Sequence, residues 1–242
     1  MKYFRYDRFD IHTAVNLVYE YYENKLKTQP PRMRRTVMKA LQTIEEHASP
    51  QMIWKRIPVI PLDDGCAIQK KTYPVKSRKF SRILSQCGEA VICAATLGKS
   101  LDHEMKREDM RMHERVVLDQ TASDVMEAVM EIGQAHIQKQ CRHGEAVTKR
   151  YSPGYCDWHI DQQQMLFSLL PSEVLGIRLS NSSLMSPRKS VTALMGVTDA
   201  RTVEQYGNAC RRCSRRDCAF RREHTETFIL GGTQREHSHT SV

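Results

Sequence analysis

The sequence predicts an α+β domain, on three observations. Apolar residues recur at helical spacing through most of the first half, and short strand-like runs and turns take over after Gly144. Alternating βαβ units with a glycine-rich phosphate loop are absent, which argues against a Rossmann-type methyltransferase or dehydrogenase domain. At 242 residues and 40% hydrophobic side chains, the chain is long enough for one full core or a core with an appendage.

Ile11, Val15, Val18 and Tyr22 recur at spacings of four, three and four, predicting a helix over Ile11–Lys27 that Gln29-Pro30-Pro31 ends. Val37, Leu41 and Ile44 mark a second helix over 33–48, stopped by Ser49-Pro50. Residues 53–60 have strand composition, and Pro58 with Pro61 predicts an edge strand or a short piece. Asp63-Asp64-Gly65 turns the chain into a second short apolar piece at 66–68. Residues 77–86 read as a helix and 90–96 as a buried strand closed by Gly98, followed by a charged segment at 99–114. Leu118, Ala122, Val125, Val129 and Ile132 then advance by four, three, four and three, the clearest helix of the chain. Glu127 and Glu131 lie on its other side, where a solvated face is the default reading. After a Pro-Gly turn at 151–155 a helix resumes over 160–170, and strands are predicted at 174–179 and 191–197 around a polar loop at 180–189. The chain thus divides into a mostly helical region with short strands (1–112), a core (113–206), a Cys-rich basic segment (207–230) and a polar stretch at 231–242 predicted to be disordered.

No run of eighteen apolar residues exists and the opening residues lack an apolar h-region, so a cytoplasmic, soluble chain with no membrane partner is expected. Thirty-seven Lys and Arg against twenty-eight Asp and Glu favour an anionic partner. One basic cluster surrounds Arg32, Arg34 and Arg35 and another follows Cys210, but neither has interleaved aromatics to stack on bases, which argues against nucleic acid. Five of the eight cysteines are scattered, while Cys210, Cys213 and Cys218 cluster at spacings that reach one tetrahedral centre. The fourth ligand would be Cys156 or His224, and zinc and an iron–sulfur cluster are both open. Reduced thiols in a basic tail are the plain alternative.

Arg150-Tyr151-Ser152-Pro153-Gly154-Tyr155 puts a fixed cation, a tight turn and a phenol within six residues. Arg clamps a carboxylate through parallel hydrogen bonds, Gly154 permits close approach to the backbone, and Tyr155 offers an aromatic face. This stretch precedes the helix with Gln164, Leu166, Phe167 and Leu170. Gly176-Ile177-Arg178-Leu179-Ser180-Asn181-Ser182, Met185-Ser186-Pro187 and Ser190-Val191 follow. In that order and at those separations, residues 115–198 resemble the activation domain of cobalamin-dependent methionine synthase. That family carries R-x-x-x-G-Y and a segment like L-T-x-S-x-x-M-x-P-x-x-S-V.

The resemblance implies a stand-alone protein with a twisted antiparallel sheet and flanking helices that binds S-adenosylmethionine and docks on a cobalamin-carrying partner. In such a system cob(II)alamin takes an electron, from a flavodoxin or ferredoxin type of donor, and a methyl group from S-adenosylmethionine. It further implies that Arg150 binds the methionyl carboxylate and that the backbone at Ser152 and Gly154 serves the adenine and ribose end. Tyr155 would pack at the ligand, and Glu127 would meet its positively charged end. The chain departs from the family in two places. An N-terminal arm with a ligand-binding Asp has no counterpart in residues 1–60, and Ser186 stands where the family has Trp. Two other readings compete: a redox activator of another corrinoid methyltransferase protein that uses a Cys-bound metal centre, and a basic zinc-knuckle module that binds nucleic acid.

Overall fold

The structure is a computed structural model and describes residues 4–206. The cysteine cluster Cys210, Cys213 and Cys218, with His224 and the 231–242 stretch, lies outside the described residues. Within them the fold is α+β, a twisted antiparallel sheet with flanking helices, as expected. No described helix is long and apolar enough to cross a membrane.

Helix α1 (Ile11–Lys27) starts where the Asp10 carboxylate accepts hydrogen bonds from the His12 and Thr13 N–H groups at 3.3 and 3.0 Å. α2 (Pro31–His47) begins on Pro31, whose missing N–H costs nothing in a first turn. Strands β1 (Arg5–Arg8), β2 (Gln51–Leu62), β3 (Gly65–Ile68) and β4 (Glu89–Thr96), then β5 (Glu145–Val147) and the long strand at Ser190–Asp199, build one six-stranded sheet. A two-residue hairpin, β6 (Arg178–Leu179) with β7 (Met185–Ser186), stands apart, so the long strand is β8. The path across the main sheet is β1-β2-β4-β8-β5, with β3 also on β2 and every pairing antiparallel.

β4 is buried along nearly its whole length, and its residues alternate between two cores. Val91, Cys93 and Ala95 face a helical layer of α1, α2 and α5 (Met112–Lys139). Ala90, Ile92 and Ala94 face a second layer built by α3 (Arg78–Leu84), Tyr151, Trp158 and α6 (Gln163–Leu169). α4 (Lys99–Glu104) follows β4, and α7 (Ala200–Tyr206) closes the described chain. The sheet takes strands from both sides of the 112/113 boundary drawn on composition.

Two expectations need correction. β2 is neither an edge strand nor short: it runs twelve residues, with β4 on one side and β1 then β3 on the other. The Val59 N–H points at Gly88 of the β4 side, so by strand alternation the nitrogen of Pro58 faces away, between the reach of β1 and that of β3. Pro61 lies beyond the end of the β4 ladder. Neither proline therefore removes a ladder bond. The predicted strand at 174–179 is mostly a 3-10 turn, Ser172–Leu175, followed by Gly176 in the left-handed region at φ +67°, and only Arg178–Leu179 pairs. Short apolar runs do not distinguish strand from buried turn by pattern alone.

The second layer sits so close to β8 that Gly196 has no room for a side chain. A Cβ there would lie 2.4 Å from Cys87 Sγ and 3.3 Å from Leu84 Cδ2, whereas one at Gly88 would meet nothing within 4 Å. Gly196→Ala should therefore lose about 1–3 kcal/mol in urea denaturation, despite alanine's better fit to a strand. Gly88→Ala should stay within about 0.5 kcal/mol of the parent.

Candidate functional site

The backbone runs from β5 along the edge of β8 and touches it again at Tyr151, which exchanges hydrogen bonds with Leu194 at 2.9 and 2.8 Å. Neighbouring residues of an extended chain point to opposite faces, so Tyr151 enters the second core while Arg150 turns under α5. There Arg150 Nη2 donates to Glu127 Oε2 at 2.6 Å, and Nη1 donates to Gln134 Oε1 at 3.4 Å. Glu131 Oε1 lies 3.9 Å from the same Nη2. Side-chain exposure is 9% for Arg150, 29% for Glu127 and 14% for Glu131. Glu127 and Glu131 are thus partners of one mostly buried guanidinium, which corrects the reading of them as a solvated face. The apolar periodicity of α5 located its core stripe but was silent about what covers the opposite flank.

Glu127, Glu131 and Gln134 follow one another at spacings of four and three, a polar stripe parallel to the apolar one. Four-residue steps carry it back to Ser123 and Asp119. Lys189, buried just before β8, donates to Ser123 Oγ at 2.8 Å and lies 3.0 Å from Asp119 Oδ1. A cavity of about 280 Å³ opens at this end, lined by Asp119, Gln120, Arg115, Arg188 and flanking methionines. The sequence reading has Glu131 only as a solvated residue and does not single out Gln134 or Lys189, although the rhythm of polar groups on α5 bears on the first two. Cys93 lies near Arg150, where burial pushes its thiol up to about 12 against the pull of that cation.

The rest of the motif is a turn fastened from below. The Gly154 N–H donates to the Trp158 carbonyl at 2.7 Å and the Tyr155 N–H to the Ser152 carbonyl at 3.3 Å. Gly154 has φ +96°, where a side chain is strained, and Tyr155 is 45% exposed. Phe80 of α3 stacks on Tyr151 at 4.4 Å and meets Trp158 at 5.2 Å. The Asp157 carboxylate accepts from Ser77 Oγ at 2.7 Å and from the Lys79 N–H at 3.1 Å, at the start of α3. Burial works against the Asp157 charge, but these hydrogen bonds outweigh it and hold the carboxyl below its ordinary range. Cys156 is exposed on the turn, and no group of three or more His, Cys, Asp or Glu suited to a metal occurs among the described residues.

The structure therefore pairs Arg150 with Glu127, and the 151–155 turn follows directly in the chain, with Ser152 and Gly154 inside its own hydrogen bonds. Among solved structures, the chain is similar to one described as the MetH reactivation domain bound to AdoHcy. The TM-score is 0.56 and the identity 15%, over 80% of this chain and 78% of that one. At that identity the likeness shows the fold. The sequence matches no family model and no curated protein.

Two stability outcomes follow from this geometry. Arg150→Met leaves Glu127 and Glu131 without their shared cation and should cost about 2–4 kcal/mol in urea denaturation. Adding Glu127→Gln should recover part of that loss rather than add to it. Because the folded state holds the Asp157 carboxyl below its unfolded value, its contribution is present above about pH 4 and is lost as pH falls through the folded value. The stability gap between the parent and Asp157→Asn should accordingly close between about pH 5 and about pH 2.

Proposed function

We propose that this protein binds S-adenosylmethionine and supports reductive remethylation of cob(II)alamin carried by a partner corrinoid protein, a cobalamin-dependent methionine synthase. The observation that supports this most is the pairing of Arg150, the first residue of R-x-x-x-G-Y, with Glu127 of α5. It occurs on a fold similar to a reactivation domain bound to AdoHcy.

The donor set fits such a ligand. Arg150 carries five N–H donors, and the hydrogen bonds to Glu127 and Gln134 take two of them. The 3.4 Å bond to Gln134 is long enough to yield to a ligand carboxylate. Glu127 and Glu131 bring carboxylates to the end where the ammonium and sulfonium of the ligand would lie, which favours the charged ligand over a neutral analogue. Tyr155 presents an exposed aromatic face for a flat ring or a cation.

S-adenosylmethionine supplies an activated methyl group, so no side chain of this chain has to act as a base. The protein's part is positioning. Glu127 and Arg150 fix one end of the ligand from α5 and the β8 edge, and the turn, held by Trp158 and Asp157, fixes the other. The electron for cobalt comes from a flavodoxin or ferredoxin type of donor.

Calorimetric titration with S-adenosylmethionine tests this reading. The parent should bind saturably, Arg150→Ala should abolish binding, and Tyr155→Ala, at an exposed position, should weaken it about tenfold or more while the fold is retained. Unaltered affinity in a folded Arg150→Ala protein would overturn the assignment. So would the absence of binding by the parent with a cobalamin-loaded methionine synthase present.

A further inference from the structure

We infer that the groove between α1 and α2 docks an acidic, amphipathic helix of a partner protein. The two helices form an antiparallel hairpin whose inner side packs on α5, while its outer side encloses a groove of about 890 Å³. Tyr19, Met38 and Leu41 supply an apolar floor, with Tyr19 40% and Met38 45% exposed. Arg34 and Arg35 line one end and Glu45, in contact with His12, the other.

The charges identify the occupant. Helix N-termini favour anions, yet the first turns of α2 carry no acidic residue and no side-chain cap, and they hold Arg32, Arg34 and Arg35 instead. These three arginines make no ion pair among the described residues, whereas Lys39 reaches Glu114 at 3.4 Å. Three cations at the positive end of a helix are a local cost that an external carboxylate cluster relieves. The apolar floor asks for leucine-like side chains next to those carboxylates, which is the face of an amphipathic helix lying in a groove. Residues 31–45 of α2 span about 21 Å, the length of a helix of about fourteen residues.

Other occupants fit less well. A nucleic acid would set its uniform negative charge against Glu45 and leave the aliphatic floor at Met38 and Leu41 without partners. A second copy packed antiparallel across a twofold axis would offer these arginines, among the groove-lining residues, only the Glu45 carboxylate, which is already in contact with His12. The chain's own stretch at 207–242 has more Lys and Arg than Asp and Glu, so it repeats the charge of the groove.

The test uses the full chain and a fluorescein-labelled fourteen-residue helix of Leu and Glu, followed by anisotropy. The Arg34→Glu/Arg35→Glu protein should lose about tenfold or more in affinity, and Met38→Asp should lose a similar factor. Lys70→Glu/Lys71→Glu, which changes net charge equally on an exposed loop, should stay within about twofold. Circular dichroism establishes that each variant is folded. Equal losses from the two double substitutions would overturn the inference, because net charge alone would then explain binding. Displacement of the peptide by a DNA duplex would overturn it in favour of nucleic acid. Self-association that Met38→Asp abolishes, seen by sedimentation, would overturn it in favour of a second copy.

Discussion

A strand buried on both faces must be covered twice, and in this fold that strand is β4. Its small and branched side chains alternate between two cores, and neither core is complete without residues far away in sequence. The helical layer closes one face with α5. The other face is closed by Phe80, Tyr151 and Trp158, with the Phe80 ring meeting both of the others. Both covers bear on the candidate site, because the chain passes from one to the other at the edge of β8. Arg150 goes under α5 and Tyr151 goes into the opposite core, so the motif straddles the sheet like a peg through a board.

That placement sets the electrostatics. An arginine with 9% of its side chain exposed is costly unless its charge is met, and α5 meets it from two successive turns. The same helix holds Lys189 one turn earlier through Ser123 and Asp119. Two nearly buried cations on one polar stripe make α5 more than a hydrophobic cover. It fixes the side-chain geometry of the β8 edge, while the apolar stripe beside it holds the sheet.

The sequence reveals α1, α2 and α5 because helical periodicity is a local signal, and the ends it indicates for α1 and α2 lie within two residues of those in the structure. It reveals the R-x-x-x-G-Y turn through Pro153 and Gly154. It misjudges β2, because a proline restricts a strand only if its nitrogen faces a partner, and which way a nitrogen faces depends on register with β4 and β3. Glu127 is visible only through the family resemblance, and the ion pair that explains it joins residues twenty-three apart. Asp157 is invisible for the same reason: its hydrogen bonds reach back about eighty residues, to Ser77 and Lys79. Contacts of that span leave no periodic trace.

The place of β8 in the chain has a consequence for how the molecule is made. β8 is the last strand among the described residues, yet it lies between β4 and β5 and receives the Tyr151 bridge. Cys93 and Ala193, which touch across the β4 and β8 ladder, are separated by one hundred residues. While the chain emerges from the ribosome, β4 keeps an open edge and Arg150 has no strand to lie along until Ser190–Asp199 arrives. Loop closure over such a distance is slow compared with helix formation, so the helices are in place before the sheet is closed. The unfinished molecule therefore presents a hydrophobic strand edge to its neighbours during that interval, a hazard of synthesis that the finished fold conceals.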